Sequence, residues 1–348
     1  MNGFIQLSPA GAPGAGVPAG ICSILQAWEA QGLLCNLDTR TMLETADRLA
    51  TSSERRGIAN LGDLGQHAEA LVRDTSGVEH LTRFTNAQES RKTNSSRNLL
   101  VALIVHMAMA AGKDPKKALQ GLPKVMAENG ESGRAAHDDE ILLLRLRALH
   151  RLTRTGTAKL PAIQYILVEA GAFPSETTVV TMSDFDLTSP DEATVTLPGV
   201  GTADIRAARR TVALPRWAVD PLTAALHDLD TRSHGGTPEQ PVAYRGTRAP
   251  GGHKASATAS GNLARLIREA GLDGRGLTGL SPNRWRLMLE ARSNGLRAAQ
   301  AVGGKHKVDG LLTHLHNPDL DLERPKERVR GNIARLKEAQ APASKQRG

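Results

Sequence analysis

The fold of this chain depends on one stretch, Leu280-Ser281-Pro282-Asn283-Arg284-Trp285-Arg286-Leu287-Met288-Leu289-Glu290, which runs on to Val302-Gly303-Gly304. Apolar and charged side chains are interleaved along it, and this pattern predicts an amphipathic helix. Gly295 stands where that helix would end, in the C′ position. A second, shorter helix is predicted from Leu296 to Val302, and the basic turn Lys305-His306-Lys307 follows it.

This layout resembles the second catalytic box of the tyrosine recombinases, the phage-integrase family. In that family a His-x-x-Arg opens the helix, a glycine ends it, a short helix leads to Leu-Gly-His, and a nucleophilic tyrosine follows. By this resemblance Ser281 replaces the first histidine, Arg284 keeps the arginine and Gly304 replaces the second histidine. The nucleophile's position falls at Thr313 or His314, and neither residue is a tyrosine.

A second match to the same family lies upstream, in Ala170-Gly171-Ala172-Phe173-Pro174-Ser175-Glu176. The family's Thr-Gly-Leu-Arg-x-x-Glu turn supplies its first catalytic arginine there. Phe173 stands at the arginine position, and Glu176 is retained where it can cap the following turn. The family's catalytic lysine falls beside Arg206, where the chain has no lysine. The resemblance therefore implies a degenerate member that is not an enzyme, with Arg284 and Glu176 as relics of the site.

Helical periodicity dominates the chain, and two short β patterns, Val195 to Pro198 and Arg210 to Pro215, interrupt it. These patterns favour a mainly α fold with a small β-sheet (α+β). The resemblance further implies a tyrosine-recombinase-like domain preceded by a helical core-binding (SAM-like) domain. The expected regions are a flexible segment and short helix at 1–37, the core-binding-like domain at 38–114, a linker at 115–139, the recombinase-like domain at 140–318, and a C-terminal helix with a basic tail at 319–348.

The charge balance indicates the class of partner. A formal net charge of +8 and a sequence pI near 9.8 favour a polyanion, with double-stranded DNA ahead of a membrane surface. No apolar run reaches the length of a membrane span. Cys22 and Cys35 form no disulfide framework or metal motif, which favours a reduced, cytoplasmic location. With DNA as the expected partner, that location is nucleoid-associated. The histidines lack zinc spacing, so we expect no metal and no cofactor.

Two interpretations fit the polar, basic entry to the apolar helix after Asn94. With Asn94 or Ser95 as N-cap, it is a solvated helix start; alternatively, the helix N-terminus and its basic neighbours bind phosphate. Together with the basic side chains further along, the residues expected to contact DNA are Arg91, Lys92, Asn94, Ser95, Ser96, Arg97, Arg206, Arg209, Arg210, Lys254, Arg284, Arg286, Arg292, Lys305, His306 and Lys307.

Three functions fit these residues. The first is a DNA-binding protein on an inactive recombinase scaffold that clamps duplex DNA between its two domains and serves transcription, replication, partition or recombination of a mobile element. The second is an active recombinase or phosphodiesterase with an unorthodox nucleophile such as His314. The third is a partner of another recombinase that does not bind DNA. The missing tyrosine argues against the second and the basic clusters argue against the third. The C-terminal helix is expected to mediate homo-oligomer contacts.

Overall fold

The computed structural model describes most of the chain between Val17 and Lys305. The described residues are 17–34, 37, 39–76, 87–110, 112, 114, 119, 133–199, 207–232, 239–305, 311 and 315. The predicted C-terminal helix and basic tail lie outside them, as does most of the predicted linker. No helix in the described part of the chain is long and apolar enough to span a membrane.

Ten α-helices are defined within these residues. They are α1 (Val17–Ala30), α2 (Thr39–Arg55), α3 (Ala68–Ser76), α4 (Ala87–Ala110), α5 (Asp138–Leu152), α6 (Leu160–Ala170), α7 (Val219–Arg232), α8 (His253–Glu269), α9 (Ser281–Asn294) and α10 (Leu296–Val302). Short 3-10 helices occupy Leu61–His67, Gly156–Lys159, Glu176–Thr178, Met182–Asp184 and Arg216–Ala218.

Helices α9 and α10 confirm the two helices and the glycine break that are predicted for residues 281–302. Pro282 stands in the first turn of α9, where its missing N–H leaves no hydrogen bond unmade. Gly295 separates the two helices with φ of 89°, a left-handed conformation that glycine adopts without a Cβ clash. The local sequence therefore fixes both the end of α9 and the change of direction into α10.

The start of α4 differs from the prediction. The helix begins at Ala87, so Asn94 and Ser95 lie inside it and neither is an N-cap. Ala87, Gln88 and Glu89 are good helix formers that extend the helix through the polar entry. The phosphate clamp expected at a helix N-terminus near Asn94 therefore does not exist, because the backbone N–H groups there belong to the helix interior.

A three-stranded antiparallel sheet follows the 3-10 turn at Met182–Asp184. Its strands, in spatial order, are β1 (Phe185–Asp186), β2 (Thr194–Leu197) and β3 (Arg210–Ala213). Val195 pairs with Val212 and both are buried, so one face of the sheet joins the core. The mainly α fold with a small β-sheet is confirmed.

One hydrophobic core runs from α1 to α9. Polar contacts also join the N-terminal helices to the rest: Asn98 on α4 donates to Asp139 on α5 at 2.7 Å, and Arg145 on α5 donates to the carbonyl of Leu33 at 2.6 Å. The described residues up to Leu315 belong to one compact unit. The domain boundaries near 114 and 140 stay predictions.

Candidate nucleic-acid interface

The turn after α6 is built around Glu176. Gly171 ends α6 with φ of 120°, and the chain turns towards the 3-10 helix at Glu176–Thr178. The Glu176 carboxylate is fully buried and accepts the backbone N–H of Phe173 at 2.8 Å. Glu176 thus caps this turn, as the sequence indicates.

Arg210 at the start of β3 is the main partner of Glu176. Its two terminal nitrogens donate to the two carboxylate oxygens of Glu176 at 2.6 and 2.8 Å, which is a bidentate pair. The other three N–H donors go to the carbonyls of Val302, Ala208 and Gly171. A guanidinium has five N–H donors, and here the protein itself uses all five. The expectation that Arg210 contacts DNA is therefore wrong in this structure: its charge and donors hold the turn, β3 and α10 together.

Gly304 makes room for Arg210. A Cβ at Gly304 would lie 2.8 Å from a terminal nitrogen of Arg210 and 3.1 Å from the backbone nitrogen of Ala208. The Ala208 N–H also donates to the Gly304 carbonyl at 2.9 Å. A histidine at this position, as the recombinase pattern has it, would collide with Arg210, so the glycine and the arginine depend on each other.

We expect Gly304→Ala to lower the free energy of unfolding by about 1–3 kcal/mol, because the new methyl displaces Arg210 and φ of +61° strains any Cβ. Urea denaturation followed by circular dichroism measures the loss. Gly274→Ala is the matched control, with φ of +75° and no atom within 4 Å of its Cβ. A loss no larger than that of Gly274→Ala would contradict the proposed contact.

The first turn of α9 is hydrogen-bonded to the turn that follows α6. Asn283 is buried and donates to the carbonyls of Gly171 and Ala172 at 2.8 and 3.1 Å. Ser281 is also fully buried, and its hydroxyl accepts the N–H of Thr278 at 2.9 Å. At the family's histidine position Ser281 therefore caps a turn and does not face solvent. Sequence reasoning missed Asn283, whose only signal was a polar residue between Pro282 and Arg284.

Two cations, Arg284 on α9 and Lys305 after α10, are bonded to no carboxylate in the described part of the chain. Arg284 is half-buried, and its Nε is buried without a hydrogen-bond partner. Lys305 is also half-buried, with its ammonium 4.5 Å from the centre of the Phe173 ring. Burial lowers the pKa of Arg284. Burial, and then the positive charge of Arg210, lower the pKa of Lys305, while Glu176 opposes the shift.

Three more deeply buried arginines, unlike Arg284, each form an ion pair with a glutamate. Arg134 and Arg275 both bind Glu140, and Arg145 binds Glu169, with distances of 2.7 to 2.9 Å. Buried charges are normally paired in this way, because leaving them unpaired in a low-dielectric interior is costly. Arg284 and Lys305, in contrast, have no such carboxylate partner among the described residues.

Three further residues that are predicted to contact DNA have exposed basic side chains. Arg209, Lys254 and Arg292 are exposed, as a DNA contact requires, and their role stays a prediction. Lys254 lies in the first turn of α8. Arg286 is half-buried and pairs with Glu290 at 3.2 Å.

Sequence reasoning missed three further exposed basic residues, Arg245, Arg248 and His253, which precede or begin α8. The same segment touches the Glu176 turn, because the N–H of Gly251 donates to the Thr178 hydroxyl at 2.9 Å. The basic segment is thus adjacent to the turn that carries Phe173 and Glu176, the residue that Arg210 binds.

Two of the predicted contacts on α4, Asn94 and Arg97, are buried. Asn94 and Arg97 are 1% and 4% exposed. Burial, and then the charge of Arg275, lower the pKa of Arg97 to about 10. The expectation that these two residues bind DNA is therefore wrong. Ser95 and Ser96 are half-buried, and Ser96 accepts a bond from Arg48 at 3.1 Å.

Several other candidates lie outside the described residues. They are the side chains of Arg91 and Lys92, and the residues Arg206, His306, Lys307, Thr313 and His314. Within the residues that are described, no group of three or more His, Cys, Asp or Glu is placed to hold a metal ion.

Comparison with known proteins finds distant similarity to solved structures alone. No protein-family model and no curated protein sequence matches the chain. Among solved structures, XerA recombinase is 15% identical, with 88% of this chain and 98% of that chain covered and a TM-score of 0.41. XerH site-specific recombinase bound to its difH substrate is 13% identical, with 90% and 84% covered and a TM-score of 0.42. A lambda integrase dimer bound to a COC′ core site is 14% identical, with 84% and 77% covered and a TM-score of 0.36. The chain is thus distantly similar to solved recombinase and integrase structures.

Proposed function

We propose that this protein binds duplex DNA through its uncompensated cations and does not cut it. The observation that carries the proposal is the state of Arg284 and Lys305, which are half-buried and bonded to no carboxylate in the described part of the chain. A partly desolvated cation gains most from an anion that approaches from outside. The DNA backbone supplies such anions at regular spacing.

The surrounding charges support a polyanion over a single small anion. Exposed Arg245, Arg248, His253 and Lys254 lie on the segment that touches the Glu176 turn, and Arg209 directly precedes β3. The formal net charge of +8 adds a long-range attraction that raises the rate of encounter. Phosphate contacts of this kind set orientation and affinity, whereas sequence preference needs contacts to base edges.

The lack of cleavage is proposed from the chemistry of the same region. Stabilising a pentavalent phosphorus requires free donors and positive charge at the reacting phosphate. Arg210 has no free donor and is neutralised by Glu176, while Phe173 is apolar and Ser281 is buried. These three residues fit a DNA-binding protein better than a nuclease. Such a protein marks a site, or assists transcription, replication, partition or recombination of a mobile element.

We expect Arg284→Ala and Lys305→Ala each to weaken binding to duplex DNA about tenfold at moderate salt, since a charge-assisted hydrogen bond contributes on the order of 1.5 kcal/mol. The slope of log affinity against log salt should become shallower by about 1 for each phosphate that is no longer neutralised. Fluorescence anisotropy with a labelled duplex measures both quantities.

The control for this test is Arg40→Ala. Arg40 is 85% exposed and pairs with Glu44 within α2, so its loss removes one charge without removing a half-buried, unpaired cation. If all three variants bind equally well, Arg284 and Lys305 are not the phosphate contacts. Sequencing the fragments retained from a random duplex pool tests specificity, and covalent or nicked products in that pool would contradict binding without cleavage.

A further inference from the structure

A cluster of basic side chains surrounds His150 at the C-terminal end of α5. Arg147 lies one turn before His150, Arg151 follows it, and Arg154 stands just after the helix ends at Leu152. Arg154 is exposed and His150 is half-buried, so solvent reaches the cluster. None of these basic residues is among those that the sequence predicts to contact DNA.

Positive charge exceeds negative charge in this cluster. Glu269 on α8 accepts from Arg147 at 3.2 Å and from Arg151 at 2.8 Å, and the charge of Asp114 acts on the same cluster. Arg154 is bonded to no carboxylate among the described residues. The C-terminal end of α5 adds roughly half a negative charge. The three guanidinium groups therefore outweigh the two carboxylates and the helix end.

The contacts of the imidazole cannot both be hydrogen bonds. A neutral imidazole has one donor and one acceptor nitrogen, whereas a guanidinium only donates. Arg147 Nη1 lies 2.9 Å from His150 Nδ1, and Arg154 Nη2 lies 3.4 Å from His150 Nε2. Burial, and then the charges of Arg147 and Arg154, lower the pKa of His150 to about 4, while Asp114 opposes the shift, so the ring is neutral near pH 7. The shorter contact assigns the acceptor to Nδ1, and Nε2 then presents its N–H towards the N–H groups of Arg154.

We propose that His150 and Arg154 bind a terminal phosphate group, either inorganic phosphate or the 5′-phosphate at the end of a DNA strand. An anion between the two facing donors accepts from both. Arg154 donates to two phosphate oxygens through its fork, and His150 Nε2 donates to another. Arg147, which Glu269 holds, keeps Nδ1 as the acceptor.

The number of acceptors favours a terminal phosphate over other anions. A terminal phosphate offers three oxygens and a charge of about −1.5 to −2 at pH 7. A bidentate arginine therefore leaves one oxygen for the imidazole. A carboxylate or a backbone phosphodiester carries a single negative charge and only two free oxygens, both of which the arginine fork would occupy.

Inorganic phosphate is the probe, and dimethyl phosphate is the matched control because it is a diester. NMR of the His150 ring nitrogens in the full chain, at pH 7 and with ionic strength held constant by sodium chloride, follows binding; the signals are assigned by their absence in His150→Gln. Phosphate should shift the Nε2 signal saturably, with Kd on the order of 1–10 mM for so small a ligand. Dimethyl phosphate should bind at least tenfold more weakly. No saturable shift, or equal binding of the diester, would overturn the proposal.

A pair of variants locates the site. Arg154→Ala should weaken phosphate binding at least tenfold, and its exposed position leaves the fold intact. Arg55→Ala is the control, because Arg55 is also exposed, in the last turn of α2, and its loss changes the net charge equally. It should leave phosphate binding unchanged. Equal phosphate affinities of the two variants would contradict a site at Arg154.

Duplexes with and without 5′-phosphates distinguish the two sources by fluorescence anisotropy. A preference of the wild type for the phosphorylated duplex that Arg154→Ala abolishes assigns the site to DNA ends. Equal affinity for the two duplexes, together with the phosphate titration, assigns it to free phosphate. The titration does not depend on whether the chain binds DNA, so its outcome is independent of the test on Arg284 and Lys305.

Discussion

Replacing Glu140 with alanine is expected to lower the free energy of unfolding by about 3–5 kcal/mol, because it removes a buried carboxylate that two buried guanidinium groups bind. Glu140 is fully buried and binds Arg134 through both oxygens, at 2.7 and 2.9 Å, while Arg275 binds it at 2.9 Å. Its carboxylate also accepts the N–H of His137 at the start of α5. Burial alone would raise the pKa of Glu140, but the hydrogen bond and charge of Arg134, and then the charge of Arg275, hold it below the ordinary value.

Guanidinium denaturation at neutral pH, followed by circular dichroism, measures this loss. Glu69→Ala is the control, because Glu69 pairs with Arg73 on α3 and both side chains are about half exposed. Exposed pairs contribute about 0–1 kcal/mol, so the control should change little. Similar losses in the two variants would mean that Arg134 and Arg275 find other partners or water when Glu140 is absent.

The sequence alone predicts the boundaries of those helices and strands that are set by neighbouring residues in the chain. Gly295 ends α9 where the sequence places it, and strands β2 and β3 occupy the two predicted β patterns. The signal in the sequence is a glycine at the end of the helix, or a short run of residues with a β-strand pattern. Both signals lie within a few positions of the boundary that they predict.

The start of α4 shows how a local signal can be outweighed. The polar run before the apolar residues favours an N-cap at Asn94 or Ser95. The helix instead continues through Asn94 and Arg97, both of which are buried. Because that burial comes from packing against distant segments, the sequence of α4 alone does not reveal it.

The roles of the arginines depend on contacts far apart in the chain. Arg210 meets Glu176 across 34 positions, and Arg275 meets Glu140 across more than a hundred. Sequence reasoning treated Arg210 as a DNA contact because it is basic and lies beside a predicted hairpin. Only the fold shows that its donors are consumed internally, whereas Arg284 keeps its charge uncompensated among the described residues.

Acidification from pH 6.5 to 4 is expected to remove about 3 kcal/mol of stability through His106 alone. His106 is 2% exposed on α4, and its Nδ1 accepts the indole N–H of Trp28 on α1 at 2.9 Å. Burial lowers the pKa of His106 from 6.5 to about 4. Between these values the unfolded chain binds a proton that the folded protein does not, so the free energy of unfolding falls by about 1.4 kcal/mol per pH unit.

The contribution of His106 can be separated from that of the carboxylates by comparison with His106→Gln, which offers an amide oxygen to Trp28 and does not titrate in this range. Above about pH 7.5 both proteins should show the same pH dependence, because the imidazole is then neutral in the folded and unfolded states alike. Below about pH 7 the wild type should lose stability more steeply than the variant, and the two curves should run parallel again only below about pH 3, where the imidazole is protonated in both states. Urea denaturation at half-unit pH steps measures both curves. Parallel curves throughout would mean that His106 can be protonated within the folded protein near its ordinary pKa, and would contradict the buried Trp28–His106 hydrogen bond as the link between α1 and α4.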